Sequence, residues 1–339
     1  MSAVTQSSYD LATAPEQWLA ENPELSNRQV FRHALARFAE LDPHIVLLEA
    51  DLAGGADPFP ARHANRFFNL GICEATMVDM ACAMAKLGHI VFAHTFAPFG
   101  VMRACEQVRH GMAYGQANVK LVCDYGGVCG AFFGPTHHAI EDLAILRAMP
   151  GMTVLSPADA LETIHATRAI AGHDGPVYLR LGRNRVSRLE IPRASFEIGR
   201  ASCLKEGSEV GIIAHGEIGV AVALGAARRL EDQGVSACVI NMHTLKPIDE
   251  AAIIRTAQRT RLLVTAEEHN ILGGLGGAVC EVIGSLGLAR RVLRLGLQDR
   301  YDELAGSHEY LLRGHGLDGE VAAQRIAAAL QHPHLMALA

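Results

Sequence analysis

The chain has 339 residues, 50% hydrophobic and 19% charged, enough apolar material for large cores and a length that suggests about two domains. Lys and Arg number 30 against 36 Asp and Glu, a net charge of −6 with no basic block, which argues against a nucleic-acid groove or an anionic membrane surface as partner. No apolar run reaches membrane-spanning length, and the polar start MSAVTQSSYDLATAPEQW lacks a hydrophobic signal core. Eight cysteines are scattered without a CxxC pair, which fits a reducing cytoplasm and argues against zinc.

In chain order, residues 1–25 read as an arm. Short β-branched runs then alternate with helical patterns. HIVLLEAD (44–51) reads as a strand, 73–87 as a helix, HIVFAH (89–94) as a strand, with a helix from about 99. VKLVCDYG (119–126), a helix over 138–148, MTVLSP (152–157), a further helix and PVYLRLG (176–182) continue the alternation. Repeated βαβ units with nearly continuous apolar strands predict a parallel sheet covered on both faces. After an Arg-rich connection from about 183 to 208, the pattern restarts with EVGIIAHG, a helix over 217–233 and VSACVINM. A helix over 248–258, RLLVTAEEH, a helix from 274 and RVLRLGL complete it. The fold class is therefore α/β in two domains, 26–195 and 196–339.

Open parallel sheets collect function at the carboxyl ends of their strands, and four features fall there. Asp51 precedes a Gly-rich stretch. In RFFNLGICEATMVDMACAMAKLG (66–88), Glu74 shares a helix face with Met77, Val78, Ala81, Cys82 and Ala85, so its carboxyl points inward. HTFAPFGVM (94–102) places Phe96 and Phe99 three residues apart, and YGGVCGAFFGPTHH (125–138) ends in His137 and His138. A buried carboxyl, two aromatic faces and an imidazole suit a flat, nitrogen-bearing ring: the carboxyl shares a ring proton, the phenylalanines stack, the imidazole meets the reacting end. Each also has a plainer explanation by itself: a helix-dipole carboxylate, core aromatics, a residue ahead of a helix. His94 fits either a pocket or the core. HGEIG at the start of the second domain lacks G-x-G-x-x-G, and the next strand ends in Asn241, so a tight glycine turn explains it better than a nucleotide site.

GICEATM (71–77), TFAPF (95–99), GPTH (134–137) followed by LRAMPGM, MHTLKPID (242–249) and EEHNILGGLG (267–276) resemble the carboxyl-terminal half of transketolase, over about residues 26–330. The same half recurs in 1-deoxyxylulose-5-phosphate synthase and in 2-oxoacid dehydrogenase β subunits. The resemblance implies a thiamin-diphosphate pyrimidine-binding parallel sheet followed by a transketolase C-terminal-like α/β domain. By position, Glu74 resembles the glutamate on the aminopyrimidine N1′, which promotes the imino tautomer that activates the thiazolium. Phe96 and Phe99 match the ring-stacking pair, Met102 stands where a third aromatic is usual, and Asp51 matches an aspartate beside the cofactor. His137 matches the histidine near the reacting carbon, while Arg28 and Arg183 fall where the family anchors a substrate phosphate. Tyr125 and Phe133 replace a phosphate-facing histidine and a hydroxyl-reading aspartate, and Gly55 stands where a serine meets phosphate. Loss of a hydroxyl reader relaxes selection for that hydroxyl, so a non-standard substrate is implied.

The family holds the cofactor's diphosphate through Mg²⁺ with a GDG motif, which is absent from this sequence. The resemblance therefore implies an N-terminal partner subunit that carries GDG and the Mg²⁺, in an α2β2 assembly. Transfer of a two-carbon ketol unit from a ketose to an aldehyde is the implied activity, with Glu74 and His137 catalytic. A 2-oxoacid-decarboxylating enzyme is the alternative.

Overall fold

A computed structural model describes residues 7–52, 57–185, 189, 196–303 and 305–331; Gly55 lies outside them. The first half contains α1 (Pro15–Glu21), α2 (Asn27–Leu41), β1 (Ile45–Glu49), α3 (Pro58–Arg62), β2 (Phe67–Asn69), α4 (Glu74–Lys86), β3 (Ile90–Phe96) and α5 (Cys105–Gln107). It continues through β4 (Val119–Asp124), α6 (Asp142–Ala148), β5 (Thr153–Leu155), α7 (Ala160–Ala171) and β6 (Val177–Arg180). The second half contains β7 (Ser202–Lys205), β8 (Val210–Ala214), α8 (Gly216–Asp232), β9 (Ala237–Asn241), β10 (Thr244–Lys246) and α9 (Glu250–Arg259). It ends with β11 (Leu262–Asn270), α10 (Leu275–Ser285), β12 (Val292–Leu297), α11 (His308–Gly314) and α12 (Gly319–Gln331).

Two sheets result, one of seven strands in the order β10-β5-β6-β4-β3-β1-β2 and one of five in the order β12-β11-β8-β9-β7. Every residue of β1, β4 and β8 is buried, as continuous apolar runs under helices on both faces require. Each sheet carries one antiparallel edge: β10 on β5 and β7 on β9. The first of these crosses between the halves, because Thr244–Lys246 leaves the second domain's sequence to complete the first domain's sheet. A three-residue strand is too short for periodicity to reveal. One apolar cluster, including Met77, Leu121 and Tyr178 from the first half and Ile213, Ile253 and Val279 from the second, runs through both units.

Three local expectations are corrected. Within the segment read as an arm, α1 buries Trp18 and Leu19, and Leu11 joins them in the cluster shared with α2 and α7. Its seven residues are too few for a periodic signal. The helix expected from 138 starts at Asp142, after single 3₁₀ turns at Ala131–Phe133 and Pro135–His137. The helix expected from 99 is broken into wide-turned pieces, Pro98–Arg103 and Val108–Tyr114, flanking α5. Helix α2, which carries Arg28, opens on a capping box in which the Ser26 hydroxyl accepts from the Gln29 amide and the Gln29 side chain accepts from the Ser26 amide.

Candidate active site

Strands β6, β4, β3 and β1 lie side by side, so their carboxyl ends form one rim. Arg183 follows β6, Tyr125 follows β4, Phe96 ends β3 and Asp51 follows β1. Glu74 reaches the same side as the first residue of α4, where Met77, Val78, Ala81 and Cys82 pull its face into the core and leave the carboxyl only 2% exposed.

Glu74 Oε2 accepts a hydrogen bond from Arg103 Nη1 at 2.8 Å, and the same guanidinium lies over the Phe99 ring with its Cζ 4.1 Å from the centroid. Arg103 was not singled out from the sequence, although it stands four residues after Phe99, a spacing that brings helical side chains together. From Phe99 the contacts continue to Phe96 (centroids 6.2 Å apart) and edge-on to His137 (5.1 Å). His137 stacks on Phe133 at 4.4 Å, and its Nδ1 lies 3.0 Å from the Thr136 hydroxyl. Partial burial, aided by the Arg103 charge, lowers the His137 pKa, so the imidazole is neutral at physiological pH.

Tyr125 packs on Phe96 at 4.2 Å and adopts a left-handed backbone with φ 64°, a conformation in which a non-glycine residue stores strain. Gly127, two residues on, has φ 70°, and a Cβ there would collide with the Glu268 carboxylate. Arg28 lies 5.8 Å from the Phe96 centroid, and Arg183 lies 4.7 Å from Phe132 and 5.7 Å from Tyr125. Glu74, Phe96, Phe99, Tyr125, Phe133, His137, Arg28 and Arg183 thus form one connected surface, with Arg103 inside it. Two expected members stand apart. Met102 packs against the apolar cluster that runs through both units, and Asp51 is exposed, with its amide donating to Asn69 Oδ1.

Behind the rim is a charged layer that supports it. His94 is fully buried, its Nε2 3.0 Å from Asp124 and its Nδ1 3.2 Å from Glu49. Arg28 Nε donates to Asp124 at 2.8 Å, while Arg32 bonds Glu49 and Asp57. Burial alone would raise the Asp124 pKa; His94, Arg28 and Arg32 outweigh it and hold the carboxyl below its usual range. His94 is therefore a support for Arg28 and not part of the pocket wall.

The Arg103 contacts show that a flat N–H donor can lie on Phe99 while bonding Glu74. An aminopyrimidine needs those two contacts, so the residues present fit the pyrimidine end of thiamin diphosphate. Among the described residues, no group of three or more His, Cys, Asp or Glu could hold a metal ion, and no helix is long and apolar enough to cross a membrane.

The fold is that of a pyrimidine-binding parallel-sheet domain joined to a second α/β domain. The profile of the transketolase pyrimidine-binding domain matches residues 23–188, and that of the transketolase C-terminal domain matches 199–320. The chain belongs to the transketolase family and matches the domains of its carboxyl-terminal half. It is 40% identical to a putative transketolase C-terminal section of Methanocaldococcus jannaschii, over 88% of this chain and 94% of that protein. It is 39% identical to the 6-deoxy-6-sulfo-D-fructose transketolase subunit SqwH of a Clostridium species, over 89% and 91%. Identity to the 1-deoxy-D-xylulose-5-phosphate synthase of Syntrophotalea carbinolica is 36%, over 89% of this chain but 48% of that protein. Among solved structures, a split-gene transketolase described as an inactive β4 tetramer superposes with a TM-score of 0.84 at 38% identity, covering 91% of this chain and 99% of that one.

Proposed function

We propose that this chain is the pyrimidine-binding subunit of a two-component transketolase that moves a two-carbon ketol unit from a ketose to an aldehyde on a non-standard substrate. One observation carries the reading: a carboxyl 2% exposed, at a phenylalanine face, already engaged by a planar N–H donor lying on that face. When bound, thiamin diphosphate would supply the carbon nucleophile for cleavage of the donor's C–C bond. Glu74 holds the proton on the pyrimidine nitrogen, and Phe96 with Phe99 keeps water from it. His137, neutral and with Nδ1 committed to Thr136, offers Nε2 to a substrate hydroxyl. Arg28 and Arg183 anchor an anionic end of the substrate. Phe133, stacked on His137 and 48% exposed, puts an apolar face where a hydroxyl reader would select for sugar hydroxyls.

A partner subunit carrying GDG supplies the Mg²⁺ and the diphosphate site, in an α2β2 assembly in the cytoplasm. Mixing the purified chain with such a subunit is the test. Ketol transfer is expected only from the mixture, with thiamin diphosphate and Mg²⁺ present; transfer by either chain alone, or by neither mixture nor chain, contradicts the proposal. Release of CO₂ from pyruvate by the mixture would instead favour the 2-oxoacid alternative that the synthase similarity keeps open.

A further inference from the structure

The HGEIG turn opens α8 in the second domain, and its glutamate reaches back into the first. Glu217 Oε1 accepts from Asn27 Nδ2 at 2.7 Å and from the Gly182 amide at 3.1 Å. Asn27 directly precedes Arg28, and Gly182 directly precedes Arg183. One carboxyl oxygen therefore ties the Asn27 side chain and the Gly182 main chain, each next to one of the arginines, to a single point. The far side of the second arginine is tied as well: Asn184 Nδ2 lies 2.9 Å from His308 Nδ1, and His308 Nε2 lies 2.8 Å from Glu268 Oε1. The Glu268 carboxylate also accepts from the Val128 amide at 2.8 Å, and the Arg183 amide rests on the Cys129 thiol. Arg183 itself is exposed, and no carboxylate among the described residues pairs with it. Its place is set by Gly182 and Asn184 on either side.

We infer that Glu217, assisted by His308, is a positioning residue that fixes the spacing between Arg28 and Arg183 and so tunes the enzyme to substrates with an anionic end. This rests on the substrate role proposed above for the two arginines. The packing supports it: a Cβ at Gly182 would collide with the Glu217 carboxyl, so the strand end and the helix start fit against one another without slack. The two rings under the arginines, Phe96 and Tyr125, are 4.2 Å apart, so both guanidiniums border one small patch. Two cations so close repel one another, and their neighbouring backbones must be held for both to serve one ligand.

The reconstituted pair, loaded with thiamin diphosphate but given no donor, allows binding to be measured without turnover. Glyceraldehyde 3-phosphate and glyceraldehyde are titrated by calorimetry. Wild type is expected to prefer the phosphate ester by at least about tenfold, in line with charge-assisted bidentate contacts. Glu217→Ala should bring that preference to within about twofold, leaving the affinity for glyceraldehyde unchanged. Glu217→Gln keeps the accepting oxygen and should restore the preference, which a merely structural loss would not do. Asn184→Ala, at a partly exposed position that tolerates truncation, should lower the preference severalfold and keeps the test decisive if Glu217→Ala does not fold. A preference left intact in both alanine variants overturns the inference alone. Equal affinity of wild type for the two aldehydes overturns the anion role of the arginines and the inference with it.

Discussion

The two sheets present the same kind of edge and use it in opposite ways. At the carboxyl end of the first sheet, Phe133, Arg103 and Arg183 stay exposed beside the buried Glu74. At the carboxyl end of the second, His215, Glu267, Glu268 and His269 are all buried. Glu267 accepts from the Leu275 and Gly276 amides at the start of α10, and the Glu268 carbonyl accepts from Arg180 Nη2 at 3.0 Å. The charged residues there are consumed in holding helix starts and the neighbouring domain. A parallel sheet's carboxyl edge thus becomes a reaction site only where nothing is packed across it; where a second unit covers it, the same residue types become struts.

Arg180 is the place to break that arrangement. It is 5% exposed and holds Asp142 at 2.7 Å together with the carbonyls of Ala139 and Glu268. Arg180→Met strands the Asp142 carboxylate and should cost about 3–5 kcal/mol in urea unfolding. Burial pushes the Asp142 pKa up, but Arg180 and His269 overcome it and hold it below 3.8. The pair's contribution is therefore present above that value and lost as pH falls through the folded pKa, so the difference between the proteins should shrink in acid.

Glu217 sharpens the comparison through pH. Burial, with repulsion from Glu268, pushes its carboxyl up to about 8 against 4.5 unfolded, while Gly182, Asn27 and His308 pull the other way. A raised carboxyl stabilises the fold fully below the unfolded pKa, and the contribution fades as pH rises to the folded one. Thermal melts should therefore show Glu217→Gln gaining on wild type between about pH 5 and 8, by at most ~1.4 kcal/mol per pH unit. A gain that does not change with pH would contradict the raised pKa.

At the open edge the expected effect is smaller and concerns selectivity. Phe133→Asp returns a polar group beside His137 and should raise kcat/KM for a 2-hydroxyaldehyde over its deoxy analogue about tenfold, or about 1.4 kcal/mol. An unchanged ratio would remove Phe133 from substrate selection.

How far the sequence discloses all this depends on distance along the chain. The burial of Glu74 is legible because five apolar residues, Met77, Val78, Ala81, Cys82 and Ala85, share its helix face, and Phe96 lies at the end of a strand whose period is plain. Arg103 is four residues from Phe99, but an arginine on an irregular helix looks like a solvated charge until the fold sets Glu74 beside it. Glu217 is 190 residues from Asn27 and 35 from Gly182, so no local pattern links them, and HGEIG alone looks like a turn. The strand Thr244–Lys246 and the helix Pro15–Glu21 escape for a different reason: they are shorter than the window in which periodicity can be seen.

The central claim, that the Glu74 carboxyl holds a proton on the cofactor's pyrimidine, is tested most directly by the kcat of Glu74→Gln in the reconstituted pair. An amide of the same shape should keep the fold and melting temperature close to wild type while kcat falls about 10³-fold, the range of a lost proton-transfer partner. A kcat within about twofold of wild type would contradict it.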